Sequence, residues 1–209
     1  IVRYKREGVI IAHYGIKLIR LTKAKIELVR MWRNDEKIQR HMFFAQIITP
    51  EMQEQWFTSI NNAFNHFFII EYNGQEVGLI NTSHIDFSTK KADAGLFIFD
   101  DKYWGTDVPV RASLAMLDFF FHHHILDTIE AKTKAENKAA INYNKQLGFE
   151  QKEIVEDGKG LLLELTKENY HKKTTALRKV AGSEKMIIEF DRTDPTERIF
   201  FEKYFQEIS

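Results

Sequence analysis

Cysteine is absent from all 209 residues, which excludes disulfides, thiolate metal sites and a covalent cysteine mechanism. Net charge is missing as well. Thirty basic residues balance thirty acidic ones, so there is no overall electrostatic footprint for nucleic acid, and none is expected as a partner. No apolar run approaches the roughly 20 residues needed to span a bilayer, and no signal-peptide pattern opens the chain. The expectation is a soluble, cytoplasmic protein with no membrane contact. Internal repeats and low-complexity linkers are lacking too. What is present is core material: 44% of residues are hydrophobic and 17 are Phe, enough for one good-sized α/β domain, or a domain with an appendage.

Periodicity and punctuation predict the elements. Val2 to His13 reads as an N-terminal hairpin turning at Glu7-Gly8, within residues 1–15. Ile16 to Leu21 alternates as a strand, and a helix follows Thr22 with Ile26, Val29 and Trp32 at helical spacing. A second helical piece covers Glu36 to Met42. Thr49-Pro50 is a helix start, with Thr as N-cap and Pro in the first turn. Strands His66–Tyr72 and Glu76–Asp86 flank the tight turn Asn73-Gly74.

Next come a strand to Phe99, a turn containing Gly105, and an apolar helix from Val108 to His124. Thr128–Lys134 reads as a strand, Asn137–Leu147 as a helix, and Phe149–Glu156 and Gly160–Thr166 as strands. Residues 1–166 form the expected main domain. From Lys167 the character shifts to a C-terminal extension over 167–209: a basic helix, a strand Met186–Phe190 and an aromatic helix Thr196–Phe205. Its late apolar set, Ile199, Phe200, Phe201, Tyr204 and Phe205, is expected to dock on the main domain or on the second subunit of a homodimer. Antiparallel strands followed by one strand–helix–strand crossover make a mixed α/β sheet.

The stretch Lys91–Phe149 carries the strongest functional signal. A strand running into a helix N-terminus aims unpaired N–H groups and the positive dipole end at a phosphate-bearing ligand. His122-His123-His124 is not a metal site, because successive helical residues point about 100° apart. No metal is expected.

Three segments, in order, carry a resemblance: Arg30 to Asp35 followed by Ile48 to Phe57; the hairpin Phe68 to Gly78; and Asn137-Lys138-Ala139-Ala140-Ile141 through Leu147-Gly148-Phe149. Together they resemble the GNAT superfamily of acetyl-CoA-dependent N-acetyltransferases, over Ile16 to Thr166. The first segment is similar to the branch holding ribosomal-protein N-terminal acetyltransferases and acetyltransferases of nucleotide-linked amino sugars. The resemblance implies a mostly antiparallel sheet with helices on both faces and a splayed parallel strand pair. Acetyl-CoA would be the co-substrate and a primary amine on a small molecule the acceptor.

The resemblance also assigns residues. The pantetheine arm would lie between the two splayed strands, bonded to the backbone of Phe97 and Phe99, with Ile98 between them. The phosphate turn would be Trp104, Gly105, Thr106, Asp107 and Val108, with Val110 and Arg111 one turn into the helix. The family's loop usually reads Arg/Gln-x-x-Gly-x-Gly/Ala, whereas Asp107 and Pro109 stand here in place of small residues. Asp107 puts a carboxylate near the anion, which Arg111 could offset. Asn137 and Asn144 lie on one helix face toward the cofactor. Asn144 fills the slot where many members carry a tyrosine acid, and Tyr143 is one step round the helix; either could donate to the leaving sulfur.

For a general base the candidates are Asp93 and His84, with Glu136 further out and water chains as the alternative to any single base. Trp32, Arg33 and Asn34 would form the acceptor wall, with Phe43 lining it or acting as a packed hinge. The reading is an N-acetyltransferase acting by direct attack in a ternary complex, first on a nucleotide-linked amino sugar and second on a protein N-terminus. A catalytically silent module of the same fold is the competitor.

Overall fold

The computed structural model describes residues 1–4, 8–44, 46–191, 193–195 and 197–198. Ten strands and six α-helices follow in chain order. They are β1 (Val2–Tyr4), β2 (Ile10–His13), β3 (Ile16–Arg20), α1 (Ile26–Asn34), α2 (Glu36–Gln39), α3 (Pro50–Ile60), β4 (His66–Tyr72) and β5 (Gln75–Asp86). Then come β6 (Lys91–Ile98), α4 (Val108–His122), β7 (Thr128–Lys134), α5 (Lys138–Leu147), β8 (Glu150–Val155), β9 (Gly160–Thr166), α6 (Lys167–Ala181) and β10 (Ile187–Phe190). All the strands join one sheet in the order β1-β10-β2-β3-β4-β5-β6-β7-β9-β8. Its neighbours are antiparallel except for β1–β10 and β6–β7.

The local signals act where the chemistry places them. Thr49 Oγ1 accepts the Met52 N–H with Pro50 in the first turn of α3. Asn73 and Gly74 both take positive φ and close the β4–β5 hairpin. Gly148 ends α5 at φ 100°, and a methyl there would meet the Asn169 carbonyl oxygen at 2.9 Å, so the position needs glycine twice over. Strand alternation splits the core between the two faces of the sheet. Phe68, Ile70 and Ile80 pack with α4, while Ile69 and Leu79 pack with α1 and α3.

Helix α4 is buried on nearly all sides, from Ala112 through Phe121. Its outer face meets α6 and the β2–β3 turn. Buried Asp118 accepts hydrogen bonds from Tyr14 Oη at 2.6 Å and Tyr170 Oη at 2.8 Å, which satisfies a carboxylate that burial would otherwise penalise.

The expected N-terminal hairpin does not form. β10 lies between β1 and β2, pairing parallel with the first and antiparallel with the second. Alternation marks each strand but cannot name its partner, and the buried Ile188 and Phe190 bring the chain end into that position. The extension is therefore woven into the sheet, with α6 packed on α4 and α5. Helix α2 stops at Gln39 rather than Met42, and α4 at His122. The late aromatic set lies outside the described residues.

Candidate active site

Strands β6 and β7 pair over three rungs only, Lys91↔Thr128, Ala92↔Ile129 and Asp93↔Glu130. Beyond Asp93 each strand follows its other partner, β6 along β5 as far as Gly78↔Ile98 and β7 along β9 as far as Lys134↔Gly160. The ladder opens into a slot as a result. Phe99 N–H donates to Val77 O at 2.8 Å, so alternation turns the backbone of Phe97 and Phe99 toward β5. The backbone facing the slot belongs to Leu96 and Ile98 instead. The Ile98 carbonyl already accepts from Trp104 Nε1 at 2.9 Å.

A cavity of about 940 Å³ passes through the sheet at this slot. On the α4 side it is lined by Trp104, Gly105, Thr106, Pro109, Val110 and Ser113, and by Asn137, Tyr143 and Asn144 of the α5 region. Positions 106, 109, 110 and 113 form one helical face. Asp107, Val108 and Arg111 lie off that face and do not line the cavity. Asp107 makes no side-chain cap; its Oδ2 accepts from Arg111 Nε at 2.7 Å. Arg111 Nη1 donates to Tyr14 O at 3.1 Å and Ala181 O at 2.9 Å, so this guanidinium is engaged away from the cavity.

Asn137 caps α5 through Ala140 N–H at 3.0 Å, and Asn144 Nδ2 returns to Ala140 O at 2.9 Å. The Tyr143 hydroxyl donates to Pro109 O at 2.8 Å and lies 2.6 Å from Ser113 Oγ. Burial raises its pKa above the usual phenol range.

The other half of the cavity faces α1, α2 and α3. Arg33, His41, Phe43, Trp56, Asn81, Phe97 and Lys132 line it. Arg33 is half-buried, lies 4.9 Å over the Trp56 ring and reaches Gln53 Oε1 at 3.4 Å. Among the described residues no carboxylate pairs with it, and burial pulls its pKa down. Phe43 packs over Gly160, with Lys132 Nζ 4.9 Å from its ring.

Trp32 is buried and works from behind, stacked on Phe99 at 5.5 Å and edge-on to Phe97 at 6.3 Å. Asn34 does not line the cavity but clamps the Ile48 backbone at 2.9 and 2.8 Å, fixing the approach to α3. Asp93 and His84 form an exposed pair at 2.8 Å, where β5 shifts register between Ser83 and Asp86, and neither lines the cavity. Two sequence-predicted base candidates thus satisfy each other at the closed end of the slot.

Polar lining residues that escape sequence reasoning include His41, Asn81 and Lys132. His41 Nδ1 lies 3.3 Å from Asn137 Nδ2, and Arg40 Nε donates to its Nε2 at 3.2 Å. Burial, then Arg40 and Lys134, lower its pKa. Asn81 sits opposite Gly95, where a methyl would come within 2.7 Å of its Oδ1. The only available signal was a polar residue on the Leu79 face of β5.

The acetyltransferase (GNAT) domain model matches residues 16–150. The chain belongs to the GNAT acetyltransferase family. Spermidine N(1)-acetyltransferase of Escherichia coli (strain K12) is 23% identical over 137 residues, 65% of this chain and 73% of that one. Spermidine N-acetyltransferase from Vibrio cholerae, solved with CoA and spermine, superposes with a TM-score of 0.68 at 16% identity. That match covers 76% of this chain and 99% of the other. The ribosomal L7/L12 alpha-N-protein acetyltransferase RimL gives 0.65 at 11% identity, over 75% and 93%. The fold of this GNAT acetyltransferase is that of its neighbours, and it is an enzyme of the acyl-transferring class.

GNAT acetyltransferases use acetyl-CoA, and the slot suits it. Leu96 and Ile98 turn backbone toward the opening, and Gly105 leaves open space where a Cβ would be. The phosphate end is poor in donors: Pro109 has no N–H, and Val108 N–H goes to Thr106 Oγ1 at 3.3 Å. Val110 N–H is what remains of the first turn.

Among the described residues, no helix is long and apolar enough to cross a membrane.

Proposed function

We propose that this GNAT acetyltransferase acetylates a primary amine on a small polar metabolite that also carries a negative charge, a nucleotide-linked amino sugar being the first choice. One observation carries the reading: among the described residues no Asp or Glu lines the cavity, while Arg33 and Lys132 do. A half-buried guanidinium without a carboxylate partner favours a phosphate or carboxylate on the ligand. A polyamine carries several positive charges and would meet the unpaired Arg33 guanidinium, while Lys132 is already held by Glu156 and no carboxylate of the described lining is left to receive it. The spermidine specificity of the relatives therefore does not transfer with the fold.

Acetyl-CoA supplies the acetyl thioester. In the proposed mechanism this chain's own residues do the rest. The Leu96 and Ile98 backbone holds the extended arm, and the Leu96 N–H faces the slot, where it can bond a developing oxyanion. Arg33 and Trp56 orient the acceptor so that its amine meets the carbonyl in line, which is worth several kcal/mol, on the order of 7–11 at best.

The attacking nitrogen must lose a proton. Among the described residues, the titratable side chains that line the cavity are Arg33, His41, Lys132 and Tyr143. Of these, only His41 is an uncharged base near neutral pH, because its pKa is lowered below the ordinary imidazole value. The leaving thiolate is weakly basic, with a thiol pKa of roughly 8.5 by analogy with cysteine, so it departs without the family-style tyrosine.

An acceptor panel tests this reading. Thiol release from acetyl-CoA would be followed with nucleotide-linked amino sugars, amino-sugar phosphates, spermidine, and peptides with free N-termini. The anionic amines are expected to give the highest kcat/KM. Preference for spermidine would sink the proposal, and preference for the peptides would move it to the protein N-terminus.

A further inference from the structure

We propose that Arg111 is a positioning residue for the cofactor, holding the Asp107 carboxylate out of the phosphate end of the slot and cancelling its charge there. The inference rests on the family's use of acetyl-CoA. Asp107 is the residue that departs most from a phosphate-binding turn, since it places a negative charge at the N-terminus of α4, where an anion is to bind. The structure supplies the compensation. Positions 107 and 111 are one helical turn apart, and Arg111 Nε binds Asp107 Oδ2 at 2.7 Å on the face away from the cavity.

A surface pair of this kind ordinarily contributes little and wanders. This one is anchored. Arg111 Nη1 is fixed by two backbone carbonyls, Tyr14 O in the β2–β3 turn and Ala181 O at the end of α6. Its side chain is only 23% exposed, against 61% for Asp107. Tyr14 and α6 are themselves locked to α4 through Asp118. The N-terminal strands and the C-terminal extension thereby set the direction in which Asp107 points. The extension contributes to cofactor affinity without touching the cavity.

Calorimetry with CoA itself tests the proposal, and wild-type binding checks the cofactor reading on its own. Arg111→Gln should weaken CoA about tenfold, since an uncompensated carboxylate then faces the pyrophosphate at short range in high dielectric. The Asp107→Asn/Arg111→Gln double variant should return to within about threefold of wild type. A double variant as weak as Arg111→Gln would overturn the proposal, because the loss would then come from broken anchoring. Asp107→Asn alone removes one exposed ion pair and no cap bond, so it remains folded whatever Arg111→Gln does. It should bind CoA about threefold more tightly, with a steeper salt dependence, because the Arg111 charge is left uncompensated. Unchanged or weaker binding by Asp107→Asn would also overturn the proposal.

Discussion

On the α4 side the cavity is walled by strand edges and helix ends; on the α1–α3 side it is walled by side chains arriving from separate segments. The first half consists of the Leu96–Ile98 backbone, the start of α4 and the Asn137 cap of α5. The second is Arg33 from α1, His41 and Phe43 from the α2–α3 connection, Asn81 from β5 and Lys132 from β7. Backbone positions tolerate substitution as long as the fold is kept, so one cofactor half can serve many enzymes. A side-chain wall changes with every residue, and in the proposed function it is where the choice of acceptor would reside. The arrangement implies that variants on the two sides should separate cleanly in acetyl-CoA and acceptor kinetics.

The largest effect is expected at the junction of the halves. His41 lies on the side proposed for the acceptor, yet its Nδ1 lies beside Asn137, the cap of α5 on the proposed cofactor side. His41→Gln should lower kcat by about 100-fold, the lower end of what a general base contributes. The pH profile gives the sign. The His41 pKa lies below 6.5, so wild-type kcat/KM should be level at neutral pH and fall as acid protonates the ring. The variant should lose that acidic limb. A variant that retains it, with near-normal kcat, would assign the proton to water instead.

Arg33 sharpens the contrast from the acceptor side. Arg33→Gln should raise KM for an anionic acceptor about 30-fold, as expected for loss of a charge-assisted hydrogen bond worth roughly 2 kcal/mol. The KM for acetyl-CoA should be unchanged. Parallel loss of affinity for both substrates would show that Arg33 supports the fold through Trp56 and Gln53 rather than reading the acceptor.

The same contrast explains what could be read from the sequence. Strand order around the crossover, the Thr49 and Asn137 caps, the Asn73-Gly74 turn and the Leu147-Gly148-Phe149 closure are local signals, each carried by a few adjacent residues. They mark the half of the cavity proposed for the cofactor. Even there, the assignment of backbone contacts was off by one residue, because a strand pattern does not say which neighbour takes which rung: Phe97 and Phe99 face β5, and Leu96 faces the slot. The acceptor half depends on juxtapositions between residues far apart in sequence. Nothing near Asp93 or His84 announced that they would pair with each other outside the cavity, and nothing near His41 announced Asn137, which is 96 positions away. Insertion of β10 between β1 and β2 is a juxtaposition of the same kind.

Two glycines carry the comparison to its smallest effect on turnover. A methyl at Gly78 would overlap the Phe97 carbonyl oxygen, which is backbone and cannot turn aside. Gly78→Ala must push β6 away from β5, so overpacking should cost about 1–3 kcal/mol of stability and weaken CoA binding as the slot edge moves. At Gly95 the added methyl would meet Asn81 Oδ1 at 2.7 Å, the end of a side chain that can rotate. Gly95→Ala should leave stability and CoA affinity near wild type, and shift acceptor KM by roughly fivefold as Asn81 is displaced from its Ser83 contact at 3.1 Å. Denaturant unfolding with both KM values measured on each variant decides the matter. If Gly95→Ala weakens CoA as much as Gly78→Ala does, the two halves are one mechanical unit, and the division between a backbone-built and a side-chain-built half fails.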